Sequence, residues 1–407
     1  MKEDWQTRRL AEVCRTIQDG AHESPKRQFD APGEGRFPYI TSKNIRTNNL
    51  DLNDLSYVER DFHDRIYPRC QPGVGDVFLT KDGANTGNVA LNTIDEPISL
   101  LSSVCLIKTN PAVLEPAFLC YYLQSPDGLN SITGQMTGAA IKRIILRDIK
   151  LATIPVPPLS EQRRIVAILD EAFEAIAAAK ANAARNLQDA RALFEANLGT
   201  VFSQLEGDVV PIGKVGQVFD GPHATPKTVD SGPVFLGIGA LQDGEVSLGA
   251  TRHVTPEDFQ RWTLRVKPQP GDFVFSYETR LGQAAVIPDG LECCLGRRMG
   301  LVRFNPTLVD AHFFAYQYVA PPYREFLGTK TLRGATVDRI SVKDFPSFPV
   351  TVPPLDEQQR IVGRLKLLRV QVESLASLYQ QKVAALEALK KSLLHQAFTG
   401  QLTSRAA

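Results

Sequence analysis

The sequence predicts an α+β protein in which two α/β blocks are separated by two long helices that form an antiparallel coiled coil, with a pseudo-two-fold internal repeat. Three observations predict this fold. The decapeptide at residues 157–166 returns at 353–362 with two substitutions, an offset of 196 residues. Each copy opens a long segment with helical spacing of apolar residues. The residues before each copy carry the same short motifs in the same order, which indicates one scaffold used twice.

Composition and charge limit the possible function classes. The chain has 407 residues, 43% hydrophobic and 22% charged, with a net charge of +1. These values are typical of a globular protein without an overall basic surface, so any contact with nucleic acid must use locally clustered charge. Six cysteines lack a C-x-x-C pair, and Cys293 and Cys294 are adjacent, which favours free thiols. We find no signal segment and no apolar run of membrane-spanning length, so we expect a cytoplasmic protein.

The first block, residues 1–157, is predicted to be mixed α/β with basic loops. A polar loop with the pattern D-G-x-H-x-S-P-K occupies residues 19–26. A strand at 75–80 runs into a glycine-rich turn, and a helix rich in aromatic residues begins after residue 110. We expect its aromatic residues to lie in the core. The block ends with a second basic cluster in the pattern G-A-x-x-x-R-I at 138–144.

The second block, residues 207–353, has equivalent landmarks. They are the loop D-G-x-H-x-T-P-K at 220–227, the strand at 271–276, the aromatic helix within 305–316 and G-A-x-x-x-R-I at 334–340. The loops between these landmarks differ, as in T-K-D-G-A-N at 80–85 against S-Y-E-T-R-L at 276–281. One scaffold with two loop sets suggests recognition of two different targets.

Each decapeptide begins a long helix, predicted at 158–206 and 354–407. Proline suits the start of a helix because the N–H that it lacks would have no hydrogen-bond partner there. Ser160 or Asp356 can cap the helix, and the following glutamate complements the positive end of the helix dipole. Apolar residues then recur in alternating steps of four and three, the heptad pattern of a coiled coil, with one stutter in each helix. The predicted seam consists of Ile165, Leu169, Ala172, Ile176, Ala179, Ala183 and Leu187 in the first helix, and Ile361, Leu365, Leu368, Val372, Leu375, Tyr379 and Val383 in the second.

The two predicted seams differ in side-chain size. Ala172 and Ala183 of the first helix stand where the second helix has Leu368 and Tyr379. Small and large residues can interdigitate at native packing density, so we expect the two helices to pack on each other. Antiparallel pairing suits a duplicated chain, and residues 160–204 would form a rod of roughly 65–70 Å.

This order of motifs resembles the specificity subunit of type I restriction-modification systems, over essentially the whole chain. The resemblance rests on P-P-L-x-E-Q followed by I-V, D-G-x-H early and G-A-x-x-x-R-I late, each present twice. It implies that 1–157 and 207–353 are target recognition domains, each reading one half of a split, asymmetric DNA sequence. It also implies that 158–206 and 354–407 are spacer helices that set the distance between half-sites and bind modification subunits.

The resemblance implies partners but no cofactor in this chain. The expected partners are double-stranded DNA and two methyltransferase subunits that use S-adenosylmethionine, together with two restriction subunits that use ATP and magnesium if the system has a nuclease. No membrane partner is expected. We predict that the chain itself has no catalytic residue and no metal site.

Candidate DNA contacts lie at the loops of both blocks. They are Lys26, Arg27, Lys43, Arg46, Lys81, Asn85, Lys142 and Arg143 in the first block, and Lys227, Tyr277, Arg280, Arg297, Arg298, Lys330, Arg333 and Arg339 in the second. Basic loop residues can also be merely solvated, and the sequence does not separate base contacts from phosphate contacts. His22 and His223 are either DNA contacts or turn-stabilising residues. In the late motif, Lys142 stands where the second block has an aspartate, so the two copies need not share a role.

Two other function classes fit the sequence less well. The tetrapeptide at 320–323 resembles the N-P-P-aromatic motif of amino-methyltransferases. The side chain of Ala320, however, has no polar atom to accept a hydrogen bond from a target amine. The segments 237–242 and 328–331 lack glycines that nucleotide-binding loops require. Independent catalysis is therefore not expected. The alternative is a coiled-coil adaptor that binds two protein partners without DNA.

Overall fold

The computed structural model describes residues 5–83, 85–133, 143–334 and 337–404. The chain forms two compact units, unit 1 comprising Met1–Ala183 with Gln381–Ala407, and unit 2 comprising Ala184–Gln380. Each unit therefore combines one α/β block with part of both long helices. Within the described ranges, no helix has both the length and the apolar character needed to cross a membrane.

The helices and strands of the first block follow each other closely. They are β1 (Gln6–Arg9), α1 (Leu10–Val13), β2 (Cys14–Asp19), β3 (Arg36–Ile40), β4 (Ser56–Glu59), α2 (Arg60–Ile66), β5 (Val77–Thr80), β6 (Val89–Leu91), β7 (Ser99–Leu100), β8 (Val104–Thr109), α3 (Pro116–Gln124), α4 (Pro126–Thr133), α5 (Leu146–Leu151), β9 (Thr153–Val156) and the long helix α6 (Leu159–Ser203). Short 3-10 turns occupy Ser42–Asn44 and Tyr67–Arg69.

The second block repeats this succession with small additions. Its elements are β10 (Asp208–Pro211), α7 (Ile212–Val215), β11 (Gly216–Asp220), β12 (Val229–Leu236), β13 (Leu241–Gln242), β14 (Glu245–Val246), β15 (Arg252–His253), α8 (Pro256–Trp262), β16 (Phe273–Ser276), β17 (Ala284–Val286), β18 (Cys293–Leu295), β19 (Met299–Phe304), α9 (Ala311–Val319), α10 (Pro321–Lys330), β20 (Thr331–Leu332), β21 (Arg339–Ile340), β22 (Pro349–Val352) and the long helix α11 (Leu355–Thr399). Short 3-10 turns lie at Ile238–Ala240, Leu248–Ala250 and Phe345–Ser347.

The sheets of the two blocks have the same topology, which confirms the internal repeat. In the first block the strand orders are β2-β8-β5-β6, β4-β3-β7 and β1-β9. In the second block β11-β19-β16-β17, β15-β12-β18 and β10-β22 correspond to them one for one. The parallel pairs β3-β7 and β12-β18 are equivalent as well.

Central strands β5 and β16 are buried at every position because each lies between two cores. Val77 and Leu79 of β5 pack with Phe118 of α3, whereas Phe78, between them, belongs to a second cluster on the opposite face. Alternate side chains of a strand point to opposite faces of a sheet. The apolar run in the sequence is therefore a strand covered on both faces, and the aromatic residues of α3 lie in the core as predicted.

The glutamine of the repeated P-P-L-x-E-Q motif attaches each block to its helix. Gln162 is fully buried; its side-chain amide donates to the carbonyls of Val113 and Pro157 at 2.8 Å and accepts from the Glu115 N–H at 2.9 Å. Gln358 is also fully buried and makes the same three bonds in unit 2, at 2.8–2.9 Å. Because all three partners are backbone atoms, the attachment does not depend on neighbouring side chains.

The predicted antiparallel pairing of α6 and α11 is confirmed within each unit. In unit 1, Lys180 forms an ion pair with Glu387 at 2.8 Å. In unit 2, the side-chain amide of Asn186 donates to the Tyr379 hydroxyl at 3.1 Å. The predicted seam positions are buried or half-buried except Leu375, which is 41% exposed. Leu375 leaves the seam because a step of four follows Val372 in α11, so that Ala376 is half-buried in its place.

Candidate nucleic-acid interface

The D-G-x-H loop begins where strand β2 or β11 ends, and its glycine fits against a neighbouring strand. The Gly20 N–H donates to the Val104 carbonyl at 3.0 Å, and the Gly221 N–H donates to the Met299 carbonyl at 2.9 Å. A Cβ atom on Gly20 would lie 2.4 Å from the carbonyl oxygen of Leu100, and one on Gly221 would lie 2.3 Å from that of Met299. Only glycine permits this approach, which fixes the preceding aspartate at the same place in both units.

In both units an arginine side chain donates hydrogen bonds to the backbone of the same loop. The Arg69 Nε donates to the Asp19 carbonyl at 2.9 Å, and Arg265 donates to the Asp220 and Gly221 carbonyls at 3.3 and 3.5 Å. Sequence reasoning missed both residues. The signal was available, since Arg69 and Arg265 are separated by the repeat offset of 196 residues.

In unit 1 the aspartate of this loop meets a lysine beneath the surface. Lys81 Nζ lies 2.9 Å from Asp19 Oδ2 and 3.7 Å from Asp82 Oδ2, and Lys81 is only 2% exposed. Lys81 was a candidate DNA contact at a loop, but in the structure its side chain does not project from the scaffold. Two carboxylates hold the ammonium in the interior, and removing it from both would leave buried charge unpaired.

In unit 2 a tyrosine replaces that lysine. Tyr277, also a candidate DNA contact, is buried as well. Burial, and then the nearby Asp220 carboxylate, raise the pKa of Tyr277 to about 12, so the phenol stays neutral at physiological pH. The two units thus place different chemistry at one equivalent position, a cation in the first and a neutral hydroxyl in the second.

The late arginine of G-A-x-x-x-R-I meets the acid that follows strand β5 or β16. Arg143 pairs with Asp82 in an isolated β-bridge, its Nε lies 3.1 Å from Asp82 Oδ1, and its side chain is 54% exposed. Arg339 is likewise the backbone partner of Glu278 and is exposed. The early and late motifs of each block, separated by more than a hundred residues, therefore meet at one corner of each unit.

Unit 2 adds an arginine cluster at this corner. Arg298, Arg333 and Arg339 line a cavity of about 400 Å³ whose acidic lining residue is Glu278. Arg298 Nε lies 3.0 Å from Glu278 Oε2. Arg298 and Thr279 have φ values of 70° and 71°, a left-handed conformation that costs energy in residues other than glycine and that clusters at functional sites. Three guanidinium groups against one carboxylate make the cavity suited to an anion such as a phosphate.

Comparison with known proteins shows which proteins this chain is similar to. Residues 2–185 match the type I restriction modification DNA specificity domain. Over these residues the chain is similar to the specificity subunits of type I restriction-modification systems. The putative type I restriction enzyme MjaX specificity subunit of Methanocaldococcus jannaschii is 25% identical over 426 residues, covering 98% of this chain and 94% of that protein. The type I restriction enzyme EcoKI specificity subunit of Escherichia coli is 23% identical over 404 residues, covering 90% and 83%.

Solved structures share the fold of this chain. A chain from work on complex assembly and conformational transition of the type I R-M system has a TM-score of 0.75 at 24% identity, over 99% of both chains. The HsdS subunit of Thermoanaerobacter tengcongensis has a TM-score of 0.60 at 22% identity, over 99% of this chain and 98% of that one.

The other predicted contacts fall into two groups. Four form ion pairs or hydrogen bonds within the protein: Lys43 with Asp54 at 3.1 Å, Arg46 with Asp51 at 3.2 Å, Asn85 with the Ser42 carbonyl at 3.1 Å, and Arg280 with the Ile238 and Gly239 carbonyls, both at 3.1 Å. Exposed positions are occupied by Lys26, Arg27, Lys227, Arg297, Lys330 and Arg333. Lys142 lies outside the described residues.

The structure also shows the surroundings of His22, His223 and Ala320, whose roles the sequence left open or argued against. His223 lies 3.0 Å from Asp220 within its own turn, the contact expected of a turn-stabilising residue, and His22 is exposed. Ala320, of the methyltransferase-like tetrapeptide, is fully buried in the core beside Tyr323. Among the described residues, no group of three or more histidine, cysteine or acidic side chains could hold a metal ion.

Proposed function

We propose that this chain is the DNA sequence-specificity subunit of a type I restriction-modification complex, and that its two recognition domains read the two halves of a bipartite, asymmetric target. One observation carries the proposal. Both units bring the D-G-x-H loop and the late arginine to the same corner, but the side chains there differ in chemistry. An identical scaffold with different polar groups is what two unlike half-sites require.

The two corners offer different contacts. Unit 1 presents the half-exposed guanidinium of Arg143 beside a buried lysine and aspartate. Unit 2 presents three arginines around one glutamate. Arginine can bind a phosphate or the O6 and N7 edge of guanine with two parallel hydrogen bonds, so the unit 2 corner suits a phosphate or a guanine.

In this proposal, catalysis belongs to partner subunits. Two modification subunits dock on the chain and use S-adenosylmethionine, and two restriction subunits use ATP and magnesium where a nuclease is present. The chain supplies recognition, and it reaches the DNA as part of a complex. A net charge of +1 is compatible with this arrangement, since the partners help to neutralise the phosphates.

Fluorescence anisotropy with the chain in complex with its modification subunits tests the proposal. Arg333→Ala combined with Arg339→Ala should weaken DNA binding and flatten its dependence on salt, by about one unit of slope for each phosphate that is no longer bound. Lys214→Ala, an exposed cation on α7, is the matched control and should bind as the unchanged complex does. DNA binding that is absent, or insensitive to salt, would instead favour a protein-binding adaptor.

Methylation mapping provides the second test. In cells that express the chain with its modification subunits, methylated sites should share a split sequence whose two halves differ. Changes at the unit 2 corner should alter one half and leave the other intact. If both halves changed together, the assignment of one half-site to each domain would be wrong.

A further inference from the structure

Two cation–π contacts join α6 and α11, one in each unit. In unit 1, Lys390 Nζ of α11 lies 4.7 Å from the ring centre of Phe173 in α6. In unit 2, the Arg369 guanidinium of α11 lies 5.2 Å from the ring centre of Phe194 in α6. In both contacts the ring belongs to the helix from the first half of the sequence, and the cation belongs to the helix from the second half.

These four residues occupy only two positions of the repeat. At the offset of 196 residues, Phe173 is equivalent to Arg369, and Phe194 is equivalent to Lys390. The first half thus carries a ring at both positions and the second half a cation at both. In unit 1 the ring occupies the first of these two positions and the cation the second. In unit 2 the cation occupies the first position and the ring the second.

The surroundings of the two contacts are also equivalent. Tyr121, the sixth residue of α3, meets the Phe173 ring edge to face at 5.4 Å. The ring centre of Tyr316, the sixth residue of α9, lies 5.1 Å from the Arg369 guanidinium. The same guanidinium contacts the Phe194 ring. A tyrosine of the aromatic helix therefore covers the same repeat position in both units, whether a ring or a cation occupies it.

Pairing of like halves would remove both contacts. Because position 390 is equivalent to position 194, a first-half helix paired with its own copy would set Phe173 against Phe194. A second-half helix paired with its own copy would set Arg369 against Lys390. Arg369 is nearly buried and forms an ion pair with Glu245 at 3.0 Å, and burial lowers the pKa of Lys390. Two such cations in contact repel each other in a region of restricted solvent.

We propose that Phe173, Phe194, Arg369 and Lys390 make the two halves of the chain pair with each other in preference to copies of themselves. The second-half helix presents two cations and fits a helix that presents two rings at the equivalent positions. Selectivity of this kind uses attraction in the correct pair and repulsion in the wrong one. It acts on the assembly of the chain and does not depend on DNA binding.

Exchanging the residues at positions 194 and 390 reverses which helices can form the ring-on-cation contacts and preserves the amino-acid composition. We call this the inverted variant. In the variant Phe194→Lys with Lys390→Phe, the normal pairing sets ring against ring and cation against cation. The same variant restores both ring-on-cation contacts when like halves of two chains pair. The control is Phe173→Lys with Lys390→Phe, which keeps both ring-on-cation contacts in the normal pairing. It also permits such contacts between like halves, so the control and the inverted variant differ only in the normal pairing.

Capture between two differently tagged full-length chains, co-expressed in one cell, measures the effect. The inverted variant should be captured at least about threefold more than the wild-type chain, and its unfolding midpoint should fall by roughly 2–4 °C or more. The control should be captured less than the inverted variant, because its two halves still make both contacts within one chain. If the inverted variant proves insoluble, Phe173→Arg with Arg369→Phe inverts the rule at the other position and should give the same increase.

Equal capture of the inverted variant and the control would overturn the proposal. A lower unfolding midpoint without increased capture would also overturn it, because the contacts would then stabilise the helices without selecting between partners.

Discussion

Replacing the buried glutamine of the repeated decapeptide should loosen one block from its helix. Gln162→Leu removes three hydrogen bonds of 2.8–2.9 Å from a fully buried site. Each contributes about 1 kcal/mol net, and the backbone groups of Val113, Glu115 and Pro157 are left buried with a partner missing. We therefore expect a loss of about 3–5 kcal/mol, or a fall of roughly 6–20 °C in the unfolding midpoint of unit 1.

Hydrogen exchange measured by mass spectrometry localises the effect. Gln162→Leu should increase exchange around residues 110–116 of unit 1, and Gln358→Leu should do the same around 305–311 of unit 2. The exposed Gln188→Leu on α6 is the matched control and should change the midpoint little. A loss below about 1 kcal/mol for Gln162→Leu, or increased exchange only in the other unit, would refute the view that this side chain attaches the block.

Three further predictions concern the corner of unit 2 and the core of unit 1. Gly221→Ala should displace the D-G-x-H loop and weaken recognition of one half-site, measured by methylation mapping, whereas Gly239→Ala, with no atom within 4 Å of its added carbon, should not. Arg265→Gln, which loses the guanidinium that holds the Asp220 carbonyl, should weaken the same half-site while leaving the unfolding midpoint within a few degrees; a loss of both half-sites would contradict this. His63 is buried and its pKa is lowered by desolvation, so the unfolded state binds more protons, and unit 1 should lose stability as pH falls below about 6.5. Urea unfolding of His63→Gln should show a weaker loss between pH 7.5 and 5.5, and an unchanged loss would rule His63 out as its source.

The repeated elements could be predicted from the sequence because their signals are local or periodic. The heptad spacing predicted the helix pair. Its antiparallel direction is seen in unit 1, where Lys180 meets Glu387 and the earlier Phe173 meets the later Lys390. The aromatic run after residue 110 predicted a buried helix, and α3 is one. Both inferences needed only the spacing of apolar residues along one element.

The side chains of the corner were harder to predict because their partners are distant in sequence. Lys81 follows a strand and precedes glycines, as an exposed loop cation does, but Asp19 lies sixty-two residues away and holds it inside. Leu375 fits an ideal heptad, yet the neighbouring Ala376 faces inward after the local change of step. Arg69 and Arg265 were visible as a repeated pair, but only the structure shows which carbonyls they hold.

Strands β1 and β9 bring the two ends of the first block together. They are the first and last strands of the block and pair antiparallel, with Gln6 opposite Val156 and Arg9 opposite Thr153. β10 and β22 close the second block in the same way, with Asp208 opposite Val352. A segment that enters and leaves at adjacent points can be exchanged by two crossovers without stretching the chain that receives it. Genetic recombination at the flanks of β1 and β9 could therefore replace one recognised half-site in a single event and leave the helices, and whatever docks on them, unaltered.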